Sequence, residues 1–342
     1  MSPKKILAVV LAAGKGTRMK SAHPKVLHEV FFRPMIHHVL NAIGSLTVDR
    51  IIVVVGYQAD ELRQSLNEYE VEFAIQSSQL GTAHAVLSAQ NALSNHVGNV
   101  LILCGDTPLI TSETLQELVC AHESSSAVLT VMTSFVSDPT NYGRIIRDDN
   151  GSVRRIVEHK DAKNDELTVC EINTGIYCVD SRFLLSGLLE IGRDNAQGEY
   201  YLTDLVAVAR NEGHIVNRYE CTDFCEVMGV NSRHELALAS SALRDKRNLE
   251  LMQSGVTLLE PETIRISDDV EVGADTVIGG NVILSHGTSI GQNCRIEANC
   301  IIRGCSIGSH SIIGPFCLLE HDTIEGHTMV RSNLIHNEND IL

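Results

Sequence analysis

The chain has 342 residues, 44% of them hydrophobic and 20% charged, with a formal net charge of −16 at pH 7. That length suits two domains rather than one, and the acidic balance argues against nucleic acid or an anionic membrane surface as partner. No apolar stretch reaches membrane-spanning length, and Met1-Ser2-Pro3-Lys4-Lys5 leads into a short strand rather than a signal segment. Ten cysteines without a Cys-x-x-Cys pair read as reduced core residues, so the expected location is the cytoplasm.

In chain order, the first half alternates strands and helices. Valine-rich runs at 6–12, 51–55, 71–75, 100–104 and 127–135 alternate with helical patterns near 34–44, 58–68, 81–93 and 112–123. That order predicts a parallel, doubly wound α/β sheet. Strands near 144–147, 153–158 and 174–179 read as an inserted antiparallel portion. A helix from about 233 to 253 follows, with Ser232 and Glu235 as a capping box and Gly255 as its stop.

From Ile266 the period changes. Aliphatic residues stand at 266, 272, 278, 284, 290 and 296, then at 302, 307, 313, 319, 324 and 330, and Gly273, Gly279, Gly291, Gly308 and Gly314 follow directly. A step of six with an aliphatic-then-glycine corner is the hexapeptide signature of a parallel β-helix, here about three and a half coils of three hexads each. The five-residue steps at 302–307 and 319–324 read as register slips or small bulges.

The chemistry concentrates at strand ends. The first strand runs into Leu11-Ala12-Ala13-Gly14-Lys15-Gly16-Thr17-Arg18-Met19, with Pro24-Lys25 close behind. A glycine turn at the carboxyl end of a strand is where open α/β sheets bind nucleotides, and Arg18 and Lys25 supply charge for a phosphate chain. The loop is neither a dinucleotide fingerprint, since position 19 is Met, nor a P-loop, since Gly14 is followed by Lys-Gly-Thr-Arg-Met-Lys. Leu103-Cys104-Gly105-Asp106-Thr107-Pro108 puts a carboxylate at the same sheet edge. Facing a phosphate loop, it suits Mg²⁺, although an Asp opening a turn before Pro108 is the competing reading. Gln76-Ser77-Ser78-Gln79-Leu80-Gly81-Thr82 offers amides and free helix N–H groups to a nucleobase, and a helix cap explains it equally well. Tyr142-Gly143-Arg144, Val157-Glu158-His159-Lys160, Glu171-Ile172-Asn173-Thr174-Gly175, Gln197-Gly198-Glu199-Tyr200-Tyr201-Leu202-Thr203-Asp204 and Gly229-Val230-Asn231 add polar groups suited to a hydroxyl-rich ligand. There is no Gly-x-Ser-x-Gly elbow, no His-Glu-x-x-His, and the fifteen histidines form no ligand set.

Taken together, LAAGKGTRM, PKVL, QLGTAHAV, GDTPLI, YGRI, VEHKDA, EINTGIY, AQGEYYLTD and GVNSR, all in order over residues 6–233, resemble the sugar-nucleotide pyrophosphorylase family, in particular its members that make UDP-N-acetylglucosamine. The resemblance implies a Rossmann-like nucleotidyltransferase domain at 1–231, a linker helix at 232–255 and a short left-handed parallel β-helix at 256–342. It implies UTP and N-acetylglucosamine-1-phosphate as substrates, with Leu11, Ala12, Ala13, Gly14, Gln76, Gly81, Thr82 and Gly105 around the nucleotide. Arg18 and Lys25 would act on the phosphates, Asp106 and Asn231 on Mg²⁺, and Gly143, Glu158, Asn173, Tyr201 and Thr203 on the amino sugar. A related sugar or base, a bifunctional member that retains acetyl transfer, or an assembly subunit without catalysis are the alternatives. In family members of this kind the β-helix carries a second activity, acetyl transfer, and a basic segment after Gly-Pro-Phe helps bind the sugar phosphate. Here Glu320 follows Gly314-Pro315-Phe316 and the chain ends at Leu342, so the expectation is loss of acetyl transfer and a β-helix that serves as a homotrimer contact.

Overall fold

The structure is a computed structural model that describes residues 5–337 except Tyr57. Two compact units divide the chain: one takes the N-terminal segment to Glu29 and Arg33–Leu236, the other Val30–Phe32 and Ala237 onward. The division falls one turn into the helix Arg233–Gln253. Among the described residues no helix is long and apolar enough to cross a membrane.

The first unit is built on a nine-stranded sheet. Its strands in chain order are β1 Ile6–Leu11, β2 Arg50–Val55, β3 Glu72–Ile75, β4 Asn99–Cys104, β5 Leu129–Phe135, β6 Arg144–Arg147, β7 Val153–Val157, β8 Glu171–Asp180 and β9 Val216–Glu220. Along the sheet they lie in the order β9-β5-β8-β4-β1-β2-β3, with β6 paired to β8 and β7. Strand β1 pairs in parallel with both β4 and β2, Leu11 lying opposite Cys104 and Val54. Leu7, Val9, Val54 and Ile102 pack into one apolar cluster and Ala8, Val10, Val53 and Leu101 into the other, so each strand alternates between two cores.

The antiparallel portion is not an appendage. Strand β8 runs antiparallel between β4 and β5, with Tyr177 opposite both Ile102 and Val131. It bulges between Asn173 and Tyr177, where Gly175 takes φ +81°. The helical pattern at 81–93 resolves into two short helices, Thr82–Leu87 and Gln90–Leu93. Between them the Ser88 hydroxyl donates to the His84 carbonyl, competing for the bond that would continue the first helix.

The second unit is the left-handed parallel β-helix. Three parallel sheets of five, five and four strands run along it, and each strand pairs with the third one on. Ile266, Leu284, Ile302 and Leu319 thus stack in one file, Ile278, Ile296 and Ile313 in a second, all fully or almost fully buried. Small residues follow the aliphatic ones because coils touch there: a Cβ on Gly279 would lie 2.7 Å from the Ala298 nitrogen of the next coil. The five-residue steps are not slips, because Ile302 pairs in register with Leu284 before it and Leu319 after it. The difference sits at the corner, where His286 and Gly287 both take positive φ in one coil while Gly304 and His321 do so alone in the next two. Ile302, wholly buried, lies between Leu284 and Leu319 in that file. Ile302→Ala is expected to cost about 2–5 kcal/mol of stability through the cavity it leaves; thermal denaturation of the intact chain checks this, and an unchanged transition would contradict it.

Candidate nucleotide and sugar site

Beyond the carboxyl ends of β1 and β4 lies a cleft of about 390 Å³ lined by Leu11, Ala12, Ala13, Gly14, Arg18, Lys25, Gln76, Gly81, Thr82, Asp106 and Asn231 among others. This is the crevice that strand order predicts, where the crossovers from the neighbouring strands β1 and β4 leave in opposite directions. Gly16 opens a 3₁₀ turn, Thr17–Met19, at φ +58°, and a Cβ there would lie 2.5 Å from Lys25 Cβ. The turn needs glycine both for its left-handed backbone and for the passage of the lysine. Nothing stands within 4 Å of where a Gly14 Cβ would be, so that face of the loop is open.

Four side chains meet at the mouth. Lys25, only 9% exposed, pairs through Nζ with the Asp106 carboxylate and donates to Asn231 Oδ1 at 2.6 Å. Arg18 donates to the same Asn231 oxygen at 2.7 Å. The capping box at the start of the helix Arg233–Gln253 holds this asparagine in place. Glu235 N donates to Ser232 Oγ at 3.2 Å, and the Glu235 carboxylate accepts from Asn231 N at 2.7 Å. Asp106 is tied down too, its carbonyl accepting from Val230 N at 2.9 Å. Asp106 and Asn231 therefore turn hard oxygen donors onto one point that a cation already occupies. Two protein oxygens, with water and phosphate completing the shell, is the pattern Mg²⁺ takes, so the residues fit that ion. No cluster of three or more His, Cys, Asp or Glu suited to a metal occurs among the described residues. The Asp106 side chain faces Lys25, so it does more than open the turn before Pro108.

Deeper in the cleft, Gln76 is 5% exposed and donates to the Gly81 carbonyl at 3.1 Å. Gly81 has φ +119° at the start of the helix Thr82–Leu87. Thr82 is partly committed, its hydroxyl accepting from Leu202 N at 3.0 Å. Gly105 N donates to the Leu11 carbonyl at 2.9 Å, closing the floor between β1 and β4. Cys104 also lines the cleft, but burial and the neighbouring Asp106 push its thiol up to about 12, so it stays protonated.

The amino-sugar candidates gather around Glu158. Its carboxylate accepts from the Thr203 hydroxyl at 3.2 Å, and Glu158 Oε1 and Asn173 Cβ each lie 3.5 Å from where a Gly143 Cβ would be. Asn173 N donates to the Gly143 carbonyl at 2.9 Å, and Gln197 donates to the Tyr201 hydroxyl at 2.9 Å. Glu158 lines a second cleft of about 500 Å³ with Asn141, His159, Lys160 and Gln197, and this cleft shares Thr17 and Arg18 with the first. Burial raises the Glu158 carboxyl above the ordinary range, with Asp161 and Asp204 adding to it against the Thr203 bond and Arg144.

The sequence reading assigned no individual role to several cleft-lining residues. Gln79 donates to the Ala13 carbonyl at 2.6 Å and fixes the glycine loop. Thr17 and Glu199 border the first cleft, and Asn141, His159, Lys160 and Gln197 the second. Most of these sit inside or beside the motifs quoted for the resemblance, which was the available signal.

A Rossmann-like sheet with this cleft places the chain among the nucleotidyltransferases. Residues 8–162 match the MobA-like NTP transferase domain, and residues 269–304 and 287–321 match the bacterial transferase hexapeptide (six repeats). The chain is 45% identical over 301 residues to the Bifunctional protein GlmU of Shouchella clausii, covering 88% of this chain and 66% of that one. It is 46% identical over 316 residues to the protein of that name from Desulfotalea psychrophila (92% of this chain, 93% of that one) and 42% identical over 330 residues to that of Halalkalibacterium halodurans (96% and 69%). The chain belongs to the GlmU family.

Proposed function

We propose that the first unit joins UTP and N-acetylglucosamine-1-phosphate to give UDP-N-acetylglucosamine and pyrophosphate. The observation that carries this reading is the convergence of Arg18, Lys25, Asp106 and Asn231 at the mouth of a base-sized cleft. The sugar-phosphate oxygen is already ionised at neutral pH, so it attacks the α-phosphorus in line without a general base. Lys25 and Arg18 then have the task of holding the two anionic partners together and countering the charge of the transition state. Asp106 and Asn231 are the residues that would hold Mg²⁺, which when bound neutralises polyphosphate charge and orients it. Glu158, Asn173, Thr203, Tyr201 and Gly143 orient the amino sugar, and Gln76 with Gly81 the base. The test is pyrophosphate release from UTP with a panel of sugar-1-phosphates, with and without Mg²⁺. Magnesium-dependent turnover best with N-acetylglucosamine-1-phosphate is expected. Best turnover with another sugar would move the reading to a related transferase, and none with any sugar would overturn it.

The raised Glu158 carboxyl gives an independent check. A group whose folded value is raised favours the folded state below its unfolded value, and that advantage is lost as pH rises through the folded value. Glu158→Gln is therefore expected to gain stability relative to the unmodified chain as pH rises above the ordinary carboxylate value. Denaturant melts between about pH 4 and 8 read this, and a pH-independent difference would contradict it.

For the β-helix we propose assembly into a trimer rather than acetyl transfer. Phe316 (59% exposed) and Met329 (71%) offer apolar contact surface. The Glu320 carboxylate after Gly314-Pro315-Phe316 accepts from Arg303 at 2.6 Å, so the cation nearest it is already engaged. Light scattering is expected to give three times the chain mass, and acetyl-CoA with glucosamine-1-phosphate is expected to release no thiol.

A further inference from the structure

One residue beside the cleft decides which face Gln76 shows to a base. Gln76 Nε2 lies 3.1 Å from the Gly81 carbonyl oxygen and 3.1 Å from His84 Nδ1. A carbonyl only accepts, so the edge of the amide that faces Gly81 must be its NH₂ group. The second hydrogen of that group then points at His84 Nδ1, which must accept it. The His84 ring is accordingly neutral, with its proton on Nε2. The ring lies beside Tyr200. It stacks on Tyr200 at 6.4 Å and 26°, and the Tyr200 backbone is pinned by Tyr200 N to Leu80 O at 2.8 Å and Ala83 N to Tyr200 O at 3.0 Å. With both amide hydrogens engaged, Oε1 is the polar atom that Gln76 has left for the cleft it lines.

We propose that His84 is a positioning residue that locks the Gln76 amide with its oxygen toward the base, and so selects a uracil-type N3–H donor over cytosine. This rests on the uridylyl-transfer reading above. Uracil carries a hydrogen on N3 that a lone acceptor complements, whereas cytosine N3 presents a lone pair to a lone pair. Discrimination of this kind is strong, because the wrong base leaves a buried polar atom facing its own kind. Without His84, only the Gly81 carbonyl opposes a flip of the amide.

The experiment compares kcat/KM for UTP and CTP, each with the same sugar phosphate, in the intact chain, His84→Leu and His84→Asn. His84→Leu is expected to lower the UTP-to-CTP ratio about tenfold or more, whereas His84→Asn, whose Oδ1 can stand near the place of Nδ1 and accept, keeps most of the preference. A variant that merely folds poorly loses activity with both nucleotides alike and leaves the ratio intact. An unchanged ratio in His84→Leu would therefore overturn the inference, while absence of UTP turnover in the unmodified chain would overturn the underlying reading instead. Long-range ¹H–¹⁵N correlation spectra of the unmodified protein test the lock without any variant. His84 protonated on Nε2 is expected, and a proton on Nδ1 would sink the proposal.

Discussion

Asp106→Ala is expected to abolish pyrophosphate release while the chain stays folded. The carboxylate is one of two oxygens on which the charged groups of the cleft mouth converge, and its removal leaves Lys25 with Asn231 Oδ1 alone. An ammonium this poorly exposed loses its formal counter-charge in the pair, which costs about 3–5 kcal/mol. A domain of this size absorbs such a loss without unfolding, having about 5–15 kcal/mol to lose. The effect on rate is expected to be far larger, because on the proposed reading charge neutralisation at the polyphosphate is the main catalytic means of the cleft and single contributions of this type are worth about 100-fold or more. Pyrophosphate release and circular dichroism, measured on the same preparation, separate the two effects. Turnover within tenfold of the unmodified chain would refute the role given to Asp106.

Gly81→Ala is the second change expected to act strongly, and for a steric reason. At φ +119° a side chain is strained whatever the space around it, and here there is none. The added Cβ would lie 2.7 Å from Tyr200 N and 2.9 Å from its carbonyl carbon, with the carbonyl oxygen closer still. All three are backbone atoms, so relief requires opening the Tyr200 N to Leu80 O bond at 2.8 Å or shifting the Ala83 N to Tyr200 O bond at 3.0 Å. Strain and lost bonds together cost about 2–4 kcal/mol. The same shift drags the Gly81 carbonyl from Gln76, so the KM for UTP should rise more than kcat falls. Thermal melts and UTP saturation curves check both parts, and a variant with normal stability and KM would show that the backbone yields more easily than the contacts imply.

The mouth of the cleft was legible in the sequence because its chemistry lies in residue types at strand ends. Arg18 and Lys25 follow a glycine turn, and Asp106 follows β4 by two residues. Their direct contact was not legible. Lys25 and Asp106 stand 81 positions apart, and Lys25 and Asn231 206 apart, so only the sheet order brings them together. The hexapeptide register was readable for the opposite reason, since each coil repeats its neighbour and local period equals tertiary position. What escaped was polar or short. Strand β9, Val216–Glu220, buries only its first residue and shows no apolar alternation. The helix Ser181–Glu190 has a clear start, Asp180 accepting from Arg182 N at 3.0 Å, but it follows so closely on β8 that the two merge into one apolar run. The central position of β8 was equally hidden, because an antiparallel strand between two parallel ones is a matter of topology and leaves no mark on composition.

The corner that absorbs the residue between His286-Gly287 and Gly304 bears on how the two units acquire their structure. Every pairing along the β-helix joins neighbours in adjacent coils, such as Leu284 with Ile302 and Ile302 with Leu319, and a corner one residue longer or shorter leaves that separation nearly constant. Loop closure is therefore short for each rung, and adding coils does not raise it. The sheet of the first unit has no such economy of distance. Its strand β1 must find Asn99–Cys104 across ten intervening elements before Leu11 and Cys104 can lie side by side. The solenoid is expected to zip from any nucleated coil at a rate set locally, while the cleft forms last, at the pace of its longest closure.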